Sequence, residues 1–250
     1  MLTGLSFVTI AEICGVVGIA AVLRGLTGFG FALAAVPLLS LVIPPAQAVV
    51  IAVLLQCLVG VRDLISLRGQ FDRGELGRMG LGALIGTPPG ILLLGWLEPD
   101  VMRLVIAAII CLAIPMLALP PKPRGAGALR LAFPAGFAGG FFGGLAAMPG
   151  PPAITYFLYT GAAAARMRAS LMIFVAITAA IALPGLAIAG LLHGSDLVAA
   201  LCAFPVMLGG TWLGGRLFAL TSERRYRLVS LSVLLATALS AGARGLSAML

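Results

Sequence analysis

Apolar runs separated by charged residues or by Pro/Gly punctuation divide the chain into ten stretches. They lie at roughly 5–23, 28–43, 45–61, 79–96, 101–119, 131–147, 149–162, 169–192, 197–220 and 228–248. A straight helix needs roughly 20 apolar residues to cross the hydrocarbon of a bilayer, and the second and seventh runs, about 16 and 14 residues long, fall short of that. Both are loaded with Gly and Pro. The pattern predicts helices throughout, with one short, broken segment in each half of the chain.

Hydrophobic residues make up 61% of the chain and charged residues 10%, with mean hydropathy +1.16, which removes a soluble domain from consideration. The fold class expected is an all-α polytopic membrane protein. Lys and Arg in short loops are retained on the cytoplasmic side. With ten crossings and the N-terminus outside, Arg24, Arg62, Arg68, Arg73, Arg78, Lys122, Arg124, Arg130, Arg166, Arg168, Arg216, Arg224, Arg225 and Arg227 fall inside, against Arg103 and Arg244 outside. If the two short runs did not cross, the same residues would divide evenly, eight to eight. Ten crossings are therefore expected. Five per half make residues 1–120 and 121–250 inverted repeats, an arrangement recurrent in secondary transporters. A shift of about 120 residues brings the two short runs into register. A shift of about 112 matches more letters, AAVP at 34–37 with AAMP at 146–149, but throws the helices out of phase.

The net charge of +8 is accounted for by these loops, so no nucleic-acid partner is expected. Cys14, Cys57, Cys111 and Cys202 all lie in apolar runs without CxxC spacing, which suits small packing residues; a thiol touching a sulfur-containing substrate is the alternative. No Lys or Arg precedes the first run, so it is expected to be a permanent helix rather than a cleaved signal.

Two constellations carry candidate chemistry. RGLTGFGFALAAVPLL at 24–39 bares backbone at Gly25, Gly28 and Gly30 ahead of Pro37. GGFFGGLAAMPGPP at 139–152 does so at Gly139, Gly140, Gly143 and Gly144 ahead of Met148, Pro149, Gly150, Pro151 and Pro152. Proline withholds an N–H and frees a carbonyl, so both are expected to be breaks between half-helices, tolerated at membrane depth where they line a cavity or are buried in protein. A half-helix N-terminus presents free N–H groups and a partial positive charge, which suits a small anion. Close helix packing through small residues is the competing reading. On the binding reading, Thr27, Gly28, Phe29, Gly30, Met148, Pro149, Gly150 and Pro151 form the substrate site, with Gln56 a further hydrogen-bond donor.

The paired Gly-rich stretches, each followed by Pro at the head of a short segment, resemble the TauE/SafE family of sulfite exporters and related anion permeases. The resemblance extends to AQAVVIAVLL at 46–55, the polar loop RDLISLRGQFDRGEL at 62–76 and the Gly-spaced helix after it. Where such proteins often show GxGGG or GGP, this chain has Phe29 and Phe31 beside Gly28 and Gly30, and Met148 to Pro152 in the second half. Phe narrows or dries a cavity relative to Gly, which opens the substrate beyond sulfite. The resemblance implies a secondary transporter moving sulfite, thiosulfate, an organosulfonate or another small anion across a bacterial inner membrane, with no cofactor or metal. A coupling proton or sodium ion and a homo-oligomer stay open.

Few ionisable groups remain for coupling. Glu12, inside the first run, is the candidate proton carrier, with snorkelling to the outer surface as its rival. Arg24 is a candidate gate, again against snorkelling. His193 and Asp196 fall in an external turn, where Ser195 or Asp196 would cap the next helix. Gly82, Gly86 and Gly90, and Gly210 with Gly214, recur every four residues and predict close helix packing. An intramembrane enzyme is disfavoured because the chain has no HExxH and no GxSxG, and an ATP-driven pump because it has no GxxxxGK[ST] loop. A passive anion channel would use the same helix ends and stays open.

Overall fold

The computed structural model describes residues 6–28, 30–118 and 129–220. Within them the chain forms α1 (Phe7–Thr27), α2 (Phe31–Leu39), α3 (Pro45–Ser66), α4 (Arg73–Trp96), α5 (Pro99–Ala118), α6 (Ala132–Ala146), α7 (Gly150–Thr160), α8 (Ala164–Ile188) and α9 (Gly194–Leu220), with no strand among the described residues. Six are long and apolar enough to cross a membrane: α1, α3, α4, α6 with its preceding turn, α8 and α9. The tenth run at 228–248, with Lys122, Arg124, Arg224, Arg225, Arg227 and Arg244, lies outside the described residues.

Hydropathy marks only the lipid-covered part of a helix, so several helices outrun their apolar cores. The third run ends at 61, yet α3 continues through Arg62 and Asp63 to Ser66. α4 starts at Arg73 rather than 79, because Asp72 caps it by accepting the Glu75 amide at 3.0 Å. That hydrogen bond is the main reason the Asp72 carboxyl is held below its usual range, helped by the Gly74 amide and Arg166 and opposed by partial burial. The capping contribution is therefore present at neutral pH and is lost only as pH falls through that lowered value.

The outer surface of the bundle is apolar. Leu81, Leu84, Ile85 and Leu92 of α4 stand more than half exposed, while Arg24, Gln56, Asp63 and Thr87 are buried, the inverse of a soluble domain and the arrangement a bilayer covers. Inside, the most extensive contacts join α4 to α6 and α1 to α9. Both seams are backbone against backbone. A Cβ on Gly82, Gly86 or Gly90 would strike the carbonyl oxygen of Phe133, Phe137 or Phe141, and one on Gly136, Gly140 or Gly144 would strike the backbone of Met79, Ala83 or Thr87. On the other seam Gly25 abuts Thr211 and Gly214, and Gly210 abuts Ala21. The stripes on α4 and α9 are thus packing features, as their spacing predicts, with α6 and α1 as partners.

This revises one expectation. Gly139, Gly140, Gly143 and Gly144 do not bare the break; they sit inside an unbroken α6. Gly140 and Gly144 admit α4, while Gly139 and Gly143 admit Phe174 and Thr178 of α8. Helical spacing of small residues produced the pattern.

One end of the bundle gathers the C-termini of α1, α3 and α9 and the N-termini of α4 and α8. It is tied by the buried Arg24–Asp63 pair, by Arg166 to Asp72 at 3.3 Å and by Arg168 to the Gly25 carbonyl at 2.6 Å. Every described arginine but Arg103 lies at this end. At the opposite end Arg103 donates to the Ser40 carbonyl and Gln47 donates to Asp196 at 2.7 Å. Asp196 is fully buried and also accepts the His193 amide at 2.9 Å, closing the first turn of α9.

Candidate functional site

Both sequence breaks are real, and both are built alike. α1 ends where Gly28 turns left-handed (φ 83°) and its amide bonds to the Arg24 carbonyl at 2.7 Å. α6 ends where Ala147 turns left-handed (φ 58°), its amide on the Gly143 carbonyl and the Met148 amide on the Phe142 carbonyl at 3.1 Å. Ala147 is the one non-glycine residue with positive φ among those described, a conformation costing an L-residue roughly 1–2 kcal/mol. Gly30 and Pro149 then start the short helices α2 and α7.

At the first break, the buried Thr27 hydroxyl donates to the Leu23 carbonyl at 2.9 Å and accepts the Gly30 amide at 2.8 Å, stapling α1 to α2. Gly28 rests against Arg168. Phe29 lies outside the described residues. At the second break Met148, Pro149, Gly150 and Pro151 are all buried. The Gln56 side chain, 2% exposed on α3, donates to the Ala147 carbonyl at 3.1 Å, so the structure joins Gln56 to the Met148–Pro151 group.

It does not bring the two breaks together. Gly60 of α3 abuts Ala176 of α8. Gln56 lies four residues from Gly60 toward one end, and Arg168 eight residues from Ala176 toward the other, an offset of about 18 Å at 1.5 Å of rise per residue. Donor supply differs as well. Gly150 is followed by Pro151 and Pro152, so the first turn of α7 offers the Gly150 amide and then two residues with none. The first turn of α2, Phe31 to Leu33, contains no proline.

Glu12 is exposed on α1, facing away from the buried Ile13 and Val17, with no hydrogen bond or ion pair among the described residues. Arg24 does not snorkel. It is 1% exposed and paired with Asp63, 3% exposed. Along the chain Asp63 belongs to the polar stretch 62–76, where it looks like a loop acid rather than a partner for Arg24. The available signal was that Arg24 and Asp63 close the first and third runs at the same end.

Beside this pair opens a cavity of about 340 Å³, lined by Arg62, Asp63, Arg168, Thr211, Trp212 and Arg216 among others. The Arg216 guanidinium lies over the Trp212 ring at 4.3 Å. Among the described residues that line this cavity, Asp63 alone is acidic. Among the described residues no three His, Cys, Asp or Glu side chains converge as metal ligands would. The arrangement offers a buried amide midway along α3 beside broken backbone, with a cationic mouth at the arginine-rich end.

A family model described as sulfite exporter TauE/SafE matches residues 13–241. No curated protein and no solved structure matches the chain.

Proposed function

The chain belongs to the sulfite exporter TauE/SafE family, a family of membrane transporters, and on that premise we propose that it is a secondary transporter for a small sulfur-containing or organic anion. Sulfite, thiosulfate and organosulfonates are the substrate class, and a bacterial inner membrane is the setting. The observation that carries the proposal is the α6–α7 break, where the Ala147 carbonyl meets the buried Gln56 amide within an apolar bundle. Broken backbone inside an apolar bundle is tolerated where it is buried in protein or lines a polar cavity, and a buried amide held against it favours the second. Gln56, the Gly150 amide and the first turn of α2 then hold the anion at successive levels, with Arg24 as gate.

The proposal includes ten crossings, an external N-terminus and inverted halves 1–120 and 121–250. Two observations support it. The αL turn and short helix recur at Gly28 and Ala147, and the α1–α9 seam corresponds to the α6–α4 seam when the halves are exchanged. Each seam joins the two halves, so alternating access would move α1 with α9 against α4 with α6. Single cysteines replacing Arg68 or Arg166 in a cysteine-free background are expected to resist an impermeant thiol reagent applied outside; labelling at position 166 from outside overturns this orientation.

Substrate handling is tested in proteoliposomes with a panel of sulfite, thiosulfate and taurine. Gly150→Val is expected to reach the membrane yet lose uptake of whichever anion is carried. Gly30→Val should do the same, although a Cβ there meets the Thr27 hydroxyl at 2.8 Å, so its thermal stability is measured alongside. Wild-type uptake by both variants would place the site elsewhere. Accumulation driven by a pH gradient, and lost in Glu12→Gln, is the expected signature of proton coupling; uptake that only equilibrates marks the passive channel.

A further inference from the structure

We propose that the cavity at the arginine-rich end is a discrete oxyanion-binding site, a vestibule that captures a small dianion or sulfonate before it reaches the Gln56 level. The vestibular role rests on the transport reading above; the binding site does not. Three guanidiniums, Arg62, Arg168 and Arg216, line a cavity of about 340 Å³ whose one acid among the described residues, Asp63, is already committed to Arg24. The wall thus carries a cationic excess. A solvated anion answers it at close range, because guanidinium groups hold oxyanions through short, charge-assisted hydrogen bonds.

A second, independent observation points the same way. Thr211 lines this cavity, and its buried hydroxyl has no hydrogen-bond partner among the described residues, which leaves an unsatisfied polar group in the wall beside the guanidiniums. The position suits capture. Asp63 lies seven residues from Gln56 on α3, about 10 Å along the helix, so the cavity stands directly outside the proposed transport site. Arg168 also holds the Gly25 carbonyl at 2.6 Å, which fixes its guanidinium from behind.

An oxyanion reaching this wall can be a free solute or the phosphate of an anionic lipid, and the two are separable. Trp212, under Arg216, is a native reporter, with Trp96 the only other tryptophan in the chain. Trp96→Phe protein is reconstituted in nanodiscs of zwitterionic lipid and titrated with sodium sulfate against sodium chloride at matched ionic strength. A saturable change in Trp212 fluorescence with sulfate is expected. Arg168→Gln should weaken it about tenfold, as for loss of a charge-assisted contact, and the exposed Arg62→Gln and Arg216→Gln about threefold each. The last two keep the test valid should Arg168→Gln fail to fold.

No sulfate-specific change, or one indifferent to all three substitutions, overturns the site. A change produced by phosphatidylglycerol in the nanodisc and never by sulfate overturns the solute reading in favour of a lipid headgroup. Gly150→Val separates the two proposals, since it should block transport and leave the sulfate response intact. If no anion in the panel is carried, the sulfate titration still decides the site.

Discussion

Arg24→Ala should destabilise the protein by roughly 3–5 kcal/mol, the cost of stranding one charge of a buried pair. Asp63→Ala should do the same. Each side chain is almost fully enclosed, Arg24 at 1% and Asp63 at 3% exposure, and they join α1 to α3. Removing either leaves the other buried without its charge partner. Arg24→Met combined with Asp63→Leu should recover most of the stability, because apolar side chains of similar volume substitute well for a buried ion pair. Thermal unfolding in detergent, followed by size-exclusion, reads all four proteins. Single variants as stable as the wild type would mean that the pair is solvated. If the double variant folds but conducts anions without control, Arg24 and Asp63 form the gate.

Gly86→Ala is the second large effect. The added Cβ would meet the Phe137 carbonyl oxygen, with the Phe137 Cα also within 3.1 Å, and every atom in its way is backbone. No side chain can swing aside, and Gly82 and Gly90 hold the same seam one turn to either side. α4 and α6 must part, at about 1–3 kcal/mol for overpacking and more if the whole seam shifts. Gly77→Ala on the same helix is the control: a Cβ there meets nothing within 4 Å, so it should be neutral or gain up to about 1 kcal/mol from helix propensity. Equal melting temperatures for Gly86→Ala and Gly77→Ala would deny that the seam depends on glycine.

Much of the architecture was legible along the chain. Hydropathy, arginine asymmetry, the two short runs and the four-residue glycine spacing are local properties, fixed by the cost of exposing backbone and charge to lipid whatever the neighbours are. They carry the membrane class, the nine helices among the described residues and both breaks. They could not assign partners. That Gly86 meets α6 and Gly210 meets α1 follows from how helices are placed, which periodicity does not encode. The glycines at 139–144 misled for the same reason: a helix packed on two sides and a bared loop both call for small residues.

Charge was the hardest to read. A carboxylate such as Asp63 looks like solvent-facing loop until a guanidinium 39 residues away is brought to it, and only that pairing carries α3 onward with the acid buried. Likewise Gln56 became part of the α6–α7 break only through the Ala147 carbonyl, 91 residues on. The sequence alone determined what could enter a bilayer and where its helices must break. The tertiary structure decided which buried polar groups satisfy one another, because a hydrogen bond or ion pair between distant segments leaves no periodic trace in either.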